Sequence, residues 1–168
     1  HTEVPPKVLE GWLESWSKHY GQPTLRVELR PHRSGSSLLE LQVINPAGDK
    51  VANVIFATIQ DRNGRNILSI RDQNTFDTSL RRKRLMTLLH LFLVHRYESE
   101  SVHYVSPTDD NHRQTQSMKT LGVYSGVAEE VGEIIVADVS APGIAALLVP
   151  DGVALGRLIE KAPLAVGA

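Results

Sequence analysis

Apolar positions change their spacing several times along the chain, and each change marks an element. Val8, Leu9, Trp12, Leu13 and Trp16 share one face of a predicted helix that follows Pro5-Pro6 and stops at Gly21 and Pro23, proline being suited to a first helical turn. The stripe holds both tryptophans and reads as core packing, or alternatively as a docking face for a neighbouring domain. Alternation then takes over. Leu25 to Leu29, Leu38 to Ile44, Val51 to Ile59 and Ile67 to Arg71 predict the strands of an antiparallel meander. Asn45-Pro46-Ala47-Gly48 provides one turn, and Asn63-Gly64 a hairpin whose two central residues both tolerate positive φ. From about Asp77 to Tyr97 the pattern is helical. Leu80, Leu85, Met86, Leu88, Leu89, Leu91, Phe92, Leu93 and Val94 leave almost no polar face in its second half, which implies a helix buried on several sides and lying across the sheet. Val102 to Val105 is a strand, Gln114 to Leu121 a helix ended by Gly122, and Val123 to Val127 and Gly132 to Val139 are further strands. Ser140-Ala141-Pro142 starts a last helix, Pro150-Asp151-Gly152 breaks the chain, and Val153 to Ile159 is mostly apolar.

Composition narrows the function classes. A chain of 168 residues can bury a core as one compact domain. Its 18 Lys plus Arg against 19 Asp plus Glu give a net charge of -1, so no global field draws it to nucleic acid or an anionic membrane. The absence of cysteine excludes disulfides, thiolate catalysis and Cys-ligated zinc, and suits a reducing cytoplasm. No apolar run approaches the roughly 20 residues that span a bilayer, and no signal peptide is present. A chain that opens His-Thr-Glu-Val-Pro-Pro without Met reads as a piece of a longer polypeptide.

Two local clusters carry chemistry. Arg81-Arg82-Lys83-Arg84 is expected in the opening turns of the buried helix, where free amides and the macrodipole already make the potential positive. Cations gathered there invite a polyanion, because phosphate oxygens satisfy amides and guanidinium groups together. The bland alternative is a solvated basic face offset by Asp72 and Asp77, with Asp77 or Thr78 as helix cap. The second cluster, Asp109-Asp110-Asn111, falls between a strand and a helix, so Asn111 sits at the mouth of a βαβ unit, a usual place for a ligand. Two carboxylates beside His112 suggest a metal less than they suggest ordinary helix capping. His90, His95 and His103 fit core or edge positions, and no HExxH, GxSxG, Walker or GxGxxG pattern occurs.

The element order, with a helix, a meander, a long helix, a strand, a helix and two strands, resembles the GNAT-type N-acetyltransferase fold. The fold class expected is therefore α+β (or α/β), with a central mixed, mostly antiparallel sheet flanked by helices. In that family the long helix receives the coenzyme A pyrophosphate and pantetheine lies between two splayed parallel strands, here Ile67 to Arg71 and Val102 to Ser106. The family pattern N-x3-A-x2-x-Y-x3-G-F meets Asn111, Thr115, Met118, Gly122 and Val123. Met118 replaces a tyrosine that donates a proton to the leaving thiolate, and a thioether cannot do so. The phosphate loop R/Q-x-x-G-x-G/A falls at Arg81 to Met86, where there is no glycine.

The stretch VHYVSPTDDNHRQTQSMKTLGVYSGVAEEVGEIIVADV is also similar to the C-terminal region of the long, mycobacterial type of isocitrate lyase. That likeness implies a non-catalytic regulatory domain that binds acetyl-CoA or propionyl-CoA and activates a lyase domain, with its Mg²⁺, elsewhere in an oligomeric polypeptide. The implied organisation is a linker and docking helix over 1–23, an acyl-CoA-binding domain over 24–139 and a helical tail over 140–168. Phosphates are expected near Ser79, Arg81, Arg82, Lys83 and Arg84. Pantetheine is expected along Ile70, Arg71 and Asp72 opposite Ser106, and the acyl end near Asn111, Thr115 and Met118. Two other readings remain open: a working acetyltransferase with Tyr104 or Tyr124 as its acid, and an interaction module whose basic turn meets an acidic partner.

Overall fold

The computed structural model describes residues 7–33 and 37–148. Alternating apolar residues fold into a seven-stranded sheet of order β1-β2-β3-β4-β5-β7-β6. Its strands are β1 (Arg26–Pro31), β2 (Leu39–Ile44), β3 (Lys50–Gln60), β4 (Asn66–Thr75), β5 (Ser101–Val105), β6 (Tyr124–Glu130) and β7 (Glu133–Val139). The helices are α1 (Lys7–Tyr20), α2 (Leu85–Arg96), α3 (Asp109–Thr120) and α4 (Ala141–Leu148). Every strand pair is antiparallel except β4 with β5. This is the mixed, mostly antiparallel sheet with flanking helices that the element order predicts.

The core explains the odd composition of α2. All residues from Leu85 to Val94 are buried, so the helix needs no polar face. Trp12 and Trp16 on α1 are buried in the same core, Trp12 meeting the Phe92 ring edge-on at a centroid distance of 6.3 Å. The tryptophan stripe is thus a packing face of this chain.

Four local expectations are corrected. Only Gly64 of the Asn63-Gly64 pair takes positive φ; the Asp61 amide bonds the Arg65 carbonyl at 3.0 Å, so a longer loop with one left-handed residue replaces the two-residue turn. The long helix does not begin at Asp77. Asp77 caps a single 3₁₀ turn, Thr78–Leu80, and α2 starts only at Leu85, because Arg82 and Arg84 are left-handed, at φ 61° and 64°. The arginine cluster therefore precedes the helix and is not part of its opening turns. Helix α3 starts at Asp109 with Thr108 as its cap, so Asp109, Asp110 and Asn111 form its first turn. Pro150-Asp151-Gly152 and Val153 to Ile159 lie outside the described residues.

A candidate anion-binding groove

The parallel pair opens a gap. Strand β4 pairs with β5 only from Ile67 to Ile70, opposite Ser101 to Tyr104. Beyond that point it continues to Thr75 with a strand partner on its β3 side alone. The β3–β4 register shifts so that Arg71 has no partner between Ile70 and Asp72, a bulge that bends β4 away. Strand β5 ends at Val105, and Ser106, left-handed at φ 50°, donates its amide to the Gly132 carbonyl at 2.9 Å. Asn111 reaches across the gap, its Nδ2 donating to Gln73 Oε1 at 2.8 Å.

Two cavities sharing Thr75, Arg81, Met86 and Asp110 make this gap a groove. One, of about 400 Å³, is lined also by Gln73, Asn74, Phe76 and Thr108. The other, of about 300 Å³, is lined also by Arg82, Arg84, Arg113, Gln114 and Ser117. The N-terminal ends of α2 and α3 thus converge on it. Their ends differ. Helix α3 has a complete capping box, Thr108 Oγ1 accepting from the Asn111 amide at 3.2 Å and Asn111 Oδ1 from the Thr108 amide at 2.9 Å. Helix α2 has Arg84 at its cap position and no side-chain cap, so no capping side chain answers the positive field of its first amides.

Arg84 is the most informative side chain. It is 5% exposed. Its Nη1 donates to Ser117 Oγ at 2.9 Å, while Nε and Nη2 have no partner. Burial lowers its pKa from the ordinary guanidinium value, and Tyr20 on α1 acts in the opposite direction. Arginine nevertheless stays protonated at any ordinary pH, so this is a buried cation, at a residue that lines the groove, with two nitrogens that neither a protein acceptor nor solvent reaches. Around it, Arg81 Nη2 donates to the Thr75 carbonyl at 3.2 Å, Lys83 Nζ to the Ser79 carbonyl at 2.6 Å, and Arg82 is exposed. One carboxylate shares the groove, that of Asp110, which is paired with Arg113.

The structure gathers Arg81, Arg82 and Arg84 on one wall and places Asn111 across the gap. Ser79 turns to Asp77, its hydroxyl 2.7 Å from Oδ1. Ile70 is buried, and Arg71 Nε donates to Ser69 Oγ at 2.9 Å. Asp72 is exposed and accepts from Asn74 Nδ2 at 3.1 Å. Thr115 and Met118 are fully buried under α3 and neither lines the groove. Thr75, Met86, Gln114 and Ser117 line it without a motif to announce them; Gln114 and Ser117 stand three apart on α3, the spacing of one helix face.

The tyrosines considered as acids lie elsewhere. The Tyr104 hydroxyl is 2.9 Å from that of Tyr124 and 3.2 Å from His90 Nδ1. All three side chains are buried, and desolvation raises the pKa of both phenols. Among the described residues no group of three His, Asp or Glu could hold a metal ion. Nor is any described helix long and apolar enough to cross a membrane.

By architecture the chain is an α+β domain, a mixed seven-stranded sheet with one parallel strand pair and flanking helices. Similar solved structures include AtaTR bound with AcCoA (11% identity, 67% of this chain and 73% of that one, TM-score 0.47). Another is a cAMP-binding acyltransferase from Mycobacterium smegmatis (11% identity, 96% and 63%, TM-score 0.47). The sequence likeness is narrower. The chain is 60% identical over 161 residues, 95% of its length, to isocitrate lyase 2 of Mycobacterium tuberculosis (strain Erdman) and of Mycobacterium bovis. It spans only 21% of the length of those relatives, and 40% of a shorter isocitrate lyase relative from Mycobacterium tuberculosis H37Rv. No protein-family model matches the chain.

Proposed function

We propose that this chain is the acyl-coenzyme A-binding regulatory module of an oligomeric isocitrate lyase, whose isocitrate-cleaving domain lies elsewhere in the same polypeptide. The observation that carries the reading is Arg84: a cation 5% exposed, with two unpartnered nitrogens, at the uncapped start of α2. A buried charge without a partner is costly, and a guanidinium turned into the groove would find in a pyrophosphate the acceptors that it lacks, shared with the helix amides. Arg81 and Arg82 would hold the outer phosphate oxygens. Pantetheine amides would pair with β4 between Arg71 and Thr75, where β5 has left it. The acyl group would point toward Asn111, where its side chain bridges the gap to Gln73.

The regulatory half of the reading is supported by the 60% identity to isocitrate lyase 2 over 95% of the chain and by what the groove offers a reaction. Tyr104 and Tyr124, the phenols that could act as acids, are buried with raised pKa values, and Met118 cannot donate a proton. Recognition without turnover is what this set of groups serves. Acyl-CoA binding would then favour one arrangement of module and lyase, and a coupling of about 1 to 3 kcal/mol suffices for strong activation.

A melting-temperature panel tests the proposal. Acetyl-CoA and propionyl-CoA should stabilise the chain by more than free coenzyme A, and all three by more than ATP. No stabilisation by any acyl-CoA would favour a plain interaction module, and release of free coenzyme A with an amine present would favour a transferase.

A further inference from the structure

The cationic loop is held from an unexpected side. Trp16 on α1 is fully buried, and its indole Nε1 donates to the Lys83 carbonyl at 2.6 Å, across 67 residues of chain. Lys83 lies between Arg82 and Arg84, which are left-handed at φ 61° and 64°. Left-handed backbone is unfavourable for side-chain-bearing residues and persists only where the surroundings impose it. No glycine relieves this loop, so the contacts on its backbone must supply the restraint. Helix α1 can supply it because it is itself fixed in the core by Leu9 and Leu13, both fully buried.

We infer that Trp16 is a positioning residue for the anion-binding loop: its indole N–H, by gripping the Lys83 carbonyl, keeps Arg82 and Arg84 turned to the groove and ties the occupancy of that groove to α1. The inference rests on the ligand reading above. It adds a mechanical route from the phosphates to the helix at the start of the chain.

Calorimetric titration of acetyl-CoA into the 168-residue chain and its variants tests this. Trp16→Phe keeps the ring and loses the donor, and should weaken binding about tenfold, about 1.4 kcal/mol. Trp12→Phe, which perturbs the same helix without touching the loop, should stay within about twofold of the parent. Arg82→Gly should restore part of the loss in the Trp16→Phe background, since glycine accepts the left-handed turn unaided; in the parent it should only weaken binding. Equal affinity of Trp16→Phe and the parent, or equal losses for both tryptophan variants, overturns the inference.

The outcome stays separable from that of the ligand reading. If the parent chain binds no acetyl-CoA, the ligand reading fails, while amide exchange still reports on the loop. The amides of Arg81 and Leu88, bonded to the Thr78 and Arg84 carbonyls, should exchange about tenfold faster in Trp16→Phe if Trp16 restrains the loop. Unchanged exchange sinks the inference. Should Trp16→Phe fail to fold, Trp16 is the only tryptophan left in Trp12→Phe. Its emission should then shift on acetyl-CoA binding, and a binding chain with unshifted emission refutes the coupling.

Discussion

Glu40 and Arg84 are equally hidden from solvent, each 5% exposed, and they are opposite in almost every other respect. The Glu40 carboxylate accepts from Asn53 Nδ2 at 2.8 Å, Gln42 Nε2 at 3.0 Å and Lys50 Nζ at 3.0 Å. Burial alone would push its pKa up, but these bonds together outweigh it and bring the value down to about 2. Arg84 has one protein partner and two open nitrogens. Both are buried charges, and buried charges persist when they are paired. Glu40 is completed inside the fold, so its role is to hold β2 to β3. Arg84 is left incomplete beside a groove, and the proposed function gives it a partner from outside.

That contrast predicts opposite behaviour under mutation. Arg84→Met should lower acetyl-CoA affinity by about a thousandfold, about 4 kcal/mol, as loss of a buried charge pair does. The melting temperature of the ligand-free chain should hold or rise, because an uncompensated buried charge has gone. Glu40→Ala should do the reverse. It leaves the buried amide of Asn53 without its acceptor, at a cost of about 3 kcal/mol in urea unfolding. Its acetyl-CoA affinity should stay within about threefold of the parent, the two sites lacking a shared partner. If Arg84→Met destabilised the free chain as much as Glu40→Ala, the guanidinium would be structural after all.

Acid sharpens the comparison through a second buried group. The folded pKa of Glu40 is depressed, from 4.5 to about 2, so its contribution is present above pH 4.5 and lost as pH falls toward 2. His90 is fully buried, and burial lowers its pKa from 6.5 to about 4. Between those values the unfolded chain binds a proton that the folded one does not, so stability again falls with pH, by up to about 1.4 kcal/mol per pH unit. Two limbs should appear in a plot of stability against pH. His90→Gln should flatten the upper limb and Glu40→Ala the lower one, and a profile unchanged by His90→Gln would mean that its imidazole is charged in the core.

The sheet was legible because alternation survives burial on one face: the strand pattern gave the meander, and the near-continuous apolar run from Leu85 to Val94 gave a helix with no wet side. Boundaries were less visible. Thr108 rather than Asn111 caps α3 because an oxygen one residue before the first helical turn reaches the Asn111 amide, and several Asx and Thr residues in succession offer that role equally well from sequence. The start of α2 was misplaced for a deeper reason. Arg82 and Arg84 are left-handed, a conformation that sequence assigns to glycine, and the Trp16 contact that accompanies it comes from 67 residues away. The cations at Arg81, Arg82 and Arg84 were visible as charge. That one of them is buried without a counter-charge, and that Gln114 and Ser117 face it from α3, depends on how two helices meet, which no local spacing encodes.

The two helix ends at the groove give the smallest test. Thr108 and Asn111 close the N-terminus of α3 with a reciprocal pair of bonds, whereas α2 presents Arg84 and no cap. Thr108→Ala should cost about 1 kcal/mol of stability, the ordinary worth of such a cap. The cap works inside the protein, so the loss of melting temperature should be nearly the same with and without acetyl-CoA. Ligand should contribute in full to the variant, because the end that would receive its phosphates is the other one. Differential scanning calorimetry of parent and Thr108→Ala, each alone and at saturating acetyl-CoA, separates the cases. If the variant lost its ligand-dependent stabilisation along with its cap, α3 would be holding the anion, and the asymmetry between the two helix starts would have been assigned the wrong way round.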